Sequence, residues 1–213
     1  MSELPIFALP LVACPRELVP LHIFEPRYKA MMAFCLDEKL AGRPGEFVIL
    51  PAGDDGYAPV GCVVQLIKVI KQYENGRMDI MVHGKRRVAI TTIDAEGSFP
   101  TAETMAYEDL RGDWDEDLAT RAFNLHRALI QMITGTAPDD RLYTGVSDLS
   151  FLLAATVSLD VPAKLRLLKA RSEDDRLRQL ADVMSAIIKK VEDVQLAARS
   201  IQSSWELQKL FTE

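Results

Sequence analysis

The run from Cys62 to Asp94 constrains the fold more than any other stretch. It reads CVVQLIKVIKQY, then Glu74-Asn75-Gly76, then RMDIMVHG and RRVAITTID. Asn-Gly readily takes the positive φ angles of a type I′ turn, so two long strands are expected to meet there in a hairpin. Beyond the turn, Met78, Ile80 and Val82 alternate onto one face. A second tight turn is expected at His83-Gly84, which would make the run a three-strand meander.

Shorter strands surround this meander. LPIFALPLV (residues 4–12) and ELVPLHIF (17–24) both contain prolines, which confine them to short, edge or bulged strands. EPRYKAMMAFCLDEKL follows. Pro26 suits the first turn of a helix, where its missing N–H costs nothing, and Tyr28, Met31, Met32, Cys35 and Leu36 recur at helical spacing. Two glycines and a proline between residues 41 and 45 should stop that helix. EFVILP (46–51) reads as a buried strand, AGDDGYAP as a polar loop, and TAETMAYED as a last strand.

The pattern then changes from strand to helix. Seven acidic residues and one arginine between Glu103 and Asp117 mark the connector, and we place the domain boundary there, at 1–112 and 113–213. The acidic cluster at 115–117 suits a helix N-terminus, where negative charge meets the helix dipole. Residues 148–159 (DLSFLLAATVSL) read as an apolar helix buried all round. Asp160-Val161-Pro162 opens another, and Ser172 caps a third whose first turn is acidic. In that last helix Leu177, Leu180, Met184, Ile187, Val191, Val194, Ala198, Ile201 and Trp205 are spaced alternately three and four apart, a heptad seam. Its outer part, Val194, Ala198, Ile201 and Trp205, is expected to fold back or to pair with a second copy in a homodimer.

Several function classes are disfavoured by composition and motif. The net charge of −6 argues against a nucleic-acid surface, although Lys85-Arg86-Arg87 and Lys164, Arg166, Lys169 and Arg171 keep an RNA-binding alternative open. Cys14, Cys35 and Cys62 form no CxxC pair, so they read as idle thiols in a reducing cytosol. Neither a signal peptide nor a membrane span is recognisable, and a cytoplasmic protein is expected. The sequence has no GxxxxGKS/T phosphate loop, no GxGxxG after a strand and no GxSxG elbow. His22, His83 and His126 lie far apart in sequence. No catalytic residue, cofactor or metal site is expected.

PLHIFEPRY (20–28) is the most specific segment. An apolar strand runs directly into a proline-initiated helix, with Glu25 and Arg27 at the junction. Glu25 can cap free N–H groups, and Arg27 can tie the turn to nearby carbonyls or acids. Either the pair only fixes the corner, or it forms a polar partner-binding spot beside His22, Phe24 and Tyr28.

LPIFALPLVACPRELVPLHIFEPRYKAMM resembles the opening of the N-terminal, substrate-recognising domain of Lon-type proteases, especially its small stand-alone bacterial members. The resemblance continues through EFVILP, VGCVVQLIKVI and NGRMDIMVHGKRRVAI, and in kind through FLLAATVSLDVPAKLRLLKARSEDDRLRQL. It implies an α+β fold: a PUA-like pseudo β-barrel with an inserted helix, followed by a C-terminal helical bundle with a long last helix. It also implies a non-catalytic protein- or peptide-binding module. Its partners would be unfolded or tagged polypeptides and an AAA-type protease. Arg87 falls on the arginine of the family's G-x-x-R segment, but Val88 stands where the family usually has an aromatic. The sequence carries neither the ATPase nor the Ser/Lys protease module of full-length Lon, so no enzymatic activity is expected.

Overall fold

The computed structural model describes residues 2–53, 56–110 and 115–210, with the side chains of 199 and 201–210 outside the described set. The expected domain boundary at 112/113 also lies outside the described residues. In chain order the elements are β1 (Ser2–Leu9), β2 (Leu18–Ile23), α1 (Pro26–Leu40), β3 (Glu46–Gly53), β4 (Gly56–Tyr57), β5 (Val60–Gln72), β6 (Met78–Asp94) and β7 (Thr101–Ala106). Then come α2 (Glu116–Thr134), a 3-10 turn at Asp140–Tyr143, α3 (Leu149–Ala154), α4 (Val161–Lys169) and α5 (Glu173–Leu210). The expected α+β fold is found.

Among the described residues the strand order β1-β7-β6-β5-β3 closes on itself, because β1 also pairs with β3. The sheet is therefore a barrel. β1 closes it by changing partner halfway: Ser2 to Pro5 pair antiparallel with β7, and Ile6 to Leu9 pair parallel with β3. β2 hangs outside the ring on β6 alone, the edge position that Pro20 requires. α1 packs Tyr28, Met31, Met32 and Cys35 against one face of the sheet, on Phe7, Phe47 and Ile80, while Ile6, Val48, Leu50, Val63, Val88 and Ala102 meet on the other face. Phe7 meets Tyr28 edge-on with ring centroids 4.2 Å apart.

The hairpin around Asn75-Gly76 forms as expected, with Gly76 at φ 76°. The turn expected at His83-Gly84 does not. β6 runs unbroken from Met78 to Asp94, and Gly84 lies inside it. The glycine is needed for a close approach instead. A Cβ on Gly84 would lie 2.0 Å from the Cys14 carbonyl oxygen. The loop before β2 is clipped to this point: Arg16 N–H donates to the Gly84 carbonyl and Gly84 N–H to the Glu17 carbonyl, both at 2.8 Å. Arg16 adopts a φ of 67° to make that turn.

The helical half has its own core, in which α5 packs chiefly on α2 and less on α3. The apolar stretch expected to be helical over 148–159 is helical only from Leu149 to Ala154. Asp115 caps α2 by accepting from Leu118 N–H at 2.9 Å, Asp160 caps α4 at Ala163 N–H, and Ser172 accepts from Asp175 N–H. Along the seam of α5, Leu177, Leu180 and Met184 are buried and Ile187 and Val191 half-buried. Val194 is 62% exposed and Ala198 is also exposed. The side chains of Ile201 and Trp205 lie outside the described residues.

The Gly84 contact makes a direct test. Gly84→Ala forces backbone against backbone, and we expect a loss of about 2–3 kcal/mol, read as a lower midpoint in urea unfolding. A midpoint equal to that of the native chain would show that the Cys14 loop yields without cost.

Candidate functional site

Two buried arginines join the barrel to the helices. Arg87, from β6, donates through Nη1 to the carbonyls of Leu168 (3.0 Å) and Ala170 (2.5 Å) at the end of α4. Its Nη2 donates to Asp109 Oδ1. Arg176, from α5, is 1% exposed and holds Asp109 with both terminal nitrogens. It also donates to Ser150 Oγ at 2.8 Å, to the Ala170 carbonyl at 2.9 Å and to Glu173. Both guanidiniums lie over the Phe151 ring, Arg176 at 4.6 Å from its centroid.

The charges of this cluster shift one another. Burial, reinforced by Arg176 alongside, holds Arg87 below the usual arginine range. Burial also pushes Asp109 upward, but the two guanidiniums bonded to it outweigh that and leave its carboxyl below the ordinary aspartate value. Arg176 is opposed by burial and held up by Asp109 and Glu173. Sequence reading missed Asp109 and Arg176 because both sit in acidic runs that resemble solvated faces. Further ties cross the same boundary. Lys164 pairs with Glu17, Arg16 clasps Asp148 through two bonds at 2.6 and 2.8 Å, and Tyr107 OH donates to the Lys169 carbonyl at 2.9 Å.

These ties seat α4 beside the barrel and leave a groove of about 460 Å³ between them. One wall is α4, where Val161, Leu165 and Lys169 recur at i, i+4 and i+8 and so share a face. The other wall is the Pro10–Val12 segment and the β3–β4 hairpin with its flanks, including Pro51, Tyr57 and Pro59. Tyr57 and Val161 are exposed at its rim. Among the described residues Lys169 is the one charged side chain in a lining that is otherwise apolar or glycine and tyrosine. The sequence did carry a signal for the groove in the 161/165/169 spacing and the bracketing prolines, but nothing local says that the two segments face each other.

The PLHIFEPRY corner does not act as one unit. Tyr28 is buried, and its OH donates to the Ala8 carbonyl at 3.2 Å. Glu25 occupies the N-cap position of α1 but its side chain makes no capping bond, contrary to expectation. It accepts instead from Arg27 Nε at 3.0 Å. Arg27 is exposed, reaches no backbone carbonyl among the described residues and lies 4.5 Å above the Tyr28 ring. An exposed pair of this kind contributes less than about 1 kcal/mol. His22 and Phe24 face outward from β2. Their rings stack 5.9 Å apart, and His22 Nδ1 lies 2.5 Å from Asp79. Phe24 is 57% exposed. Arg87 is elsewhere, inside the barrel–helix boundary.

The remaining chemistry is structural. His126 is buried, pushed below its ordinary pKa by that burial, and bonded to Tyr143 and Thr156. Cys14, Cys35 and Cys62 are free and buried, and burial pushes the first two thiols to about 12. Among the described residues no group of three or more His, Cys, Asp or Glu could hold a metal ion, and no helix is long and apolar enough to cross a membrane. The basic runs are partly consumed internally: Arg86 pairs with Glu46 at 2.8 Å, Arg87 is buried and Lys164 is bound to Glu17.

A closed barrel with α1 packed against it and a helical half beside it is also the architecture of known proteins. Residues 3–186 match the family of the ATP-dependent protease La (LON) substrate-binding domain, and the chain belongs to that family. The N-terminal domain of a Lon protease from the Mycobacterium avium complex superposes with a TM-score of 0.67 at 21% identity, covering 86% of this chain and 98% of that one. The Lon N-terminal domain protein from Xanthomonas campestris gives 0.62 at 22% identity, covering 84% and 97%. At these identities the likeness is one of fold.

The arginine cluster sets the stability of this assembly. Arg176→Ala leaves Asp109 and Glu173 short of a buried partner, and we expect it to cost about 3–5 kcal/mol by urea unfolding at neutral pH. Asp109 titrates lower when folded than its ordinary value of 3.8. Its contribution is therefore present above that value and is lost as pH falls through the folded-state value. The deficit of Arg176→Ala should accordingly shrink on acidification. A deficit independent of pH would show that packing, not charge, carries it.

Proposed function

We propose that the chain is a non-catalytic module that binds polypeptides, with unfolded or tagged proteins as its ligands and an AAA-type protease as the machine it serves. The apolar groove between α4 and the β3–β4 hairpin carries this reading. Monomeric proteins rarely leave contiguous apolar surface uncovered unless a partner uses it. The groove also lies within the stretch matched by the substrate-binding domain family. The sequence offers no phosphate loop and no nucleophile motif that would add turnover.

Binding is measured by fluorescence anisotropy with a reduced, alkylated and labelled unfolded protein. The double substitution Tyr57→Glu and Val161→Glu places charge at the exposed rim, where the fold is least affected. We expect at least tenfold weaker binding with an unchanged thermal midpoint. Full affinity in the variant, or equal binding of a folded control protein, would reject the groove as the site.

The outer seam of α5 supports a second contact, a homodimer through this helix. Val194 and Ala198 continue the heptad spacing past the point where α2 and α3 cover it. The chain should have the mass of a dimer by light scattering, and truncation after Arg199 should give a monomer. A monomer in both cases removes the dimer.

A further inference from the structure

We infer that the groove accepts the free C-terminal end of an apolar polypeptide, with Lys169 as the group that meets its carboxylate. This rests on the polypeptide-binding reading and names its ligand more closely. The α4 wall runs from Val161 through Leu165 to Lys169, eight residues, or about 12 Å at 1.5 Å per residue. An extended peptide covers that distance in about three to four residues. The wall is apolar for its first two positions and positive at the third.

The charge at that end is isolated. Lys169 is exposed, and among the described residues its ammonium has no acidic partner. The other cations of α4 are committed elsewhere: Lys164 is bound to Glu17, and Arg166 lines a separate crevice beside Asp182 of α5. Beyond Lys169 the helix stops. The Ala170 carbonyl is drawn inward by Arg87 and Arg176, so the groove wall cannot continue. An apolar track of three or four residues that ends on one positive charge, where the wall turns away, fits a chain terminus better than a chain passing through. A lysine in the last turn also opposes the helix dipole favourably. The test must therefore read a preference that helix stability would not alter.

Labelled peptides of one apolar sequence, N-terminal dye followed by Gly-Ser-Phe-Leu-Val, are titrated with the full chain in three forms: free acid, C-terminal amide, and amide with an internal Glu before Phe. The free acid should bind about fivefold more tightly than either amide, the scale of a solvent-exposed ion pair. Lys169→Gln should abolish that difference between free acid and amide. Equal affinity for acid and amide, a preference that survives Lys169→Gln, or an internal Glu as effective as the free acid would each overturn the inference. If the labelled unfolded protein binds but no peptide does, the inference fails and the broader reading stands. If neither binds, both fail.

Discussion

Asp109 is shared by two arginines that come from opposite halves of the molecule, and their placement depends on it. Two guanidiniums over one phenyl ring would repel each other in a site with little water. The carboxylate between them converts that repulsion into a three-way attachment, and the carbonyls of Leu168 and Ala170 absorb the remaining donors. A buried ion pair adds less net stability than its distances suggest, because both partners lose their water. What it supplies here is position. The end of α4 is held by hydrogen bonds of defined direction, whereas apolar packing alone would tolerate sliding. The groove wall inherits that definition.

The same division between packing and direction appears around β6. Apolar side chains pack on both faces of the sheet, but the register of the N-terminal loop is set by backbone bonds at Gly84. Those bonds place Glu17 where it can receive both the Cys14 N–H and the Lys164 ammonium. A missing side chain in a strand thus helps to locate a helix some eighty residues later.

Much of the architecture was legible in the sequence. The Asn75-Gly76 hairpin, the proline-opened α1, the edge placement of β2 and the caps at Asp115, Asp160 and Ser172 follow from local rules. Gly84 was misread because a glycine inside an alternating run signals either a turn or a close approach, and only the approaching chain, 70 residues away, decides between them. Glu25 was misread for a different reason: it stands at the N-cap position of α1, yet its side chain turns to Arg27 and caps nothing. The groove and the Arg87–Asp109–Arg176 cluster were beyond local rules altogether. Each joins segments of the β-rich half to a helix 60 or more residues further on, and their individual signatures, a short apolar spacing and two charges in acidic runs, are those of ordinary surface.

The partner change within β1 has a consequence for synthesis on the ribosome. Its second half can pair with β3 once that strand has emerged, but its first half waits for β7, which ends at Ala106. Until then the nascent chain carries an open strand edge of the kind that invites pairing with other chains. Long-range pairing of this sort is also slow to form, because loop closure must precede the contacts that reward it. The barrel is therefore sealed late, by its own first and last strands, and chaperone access is most valuable in the interval between them.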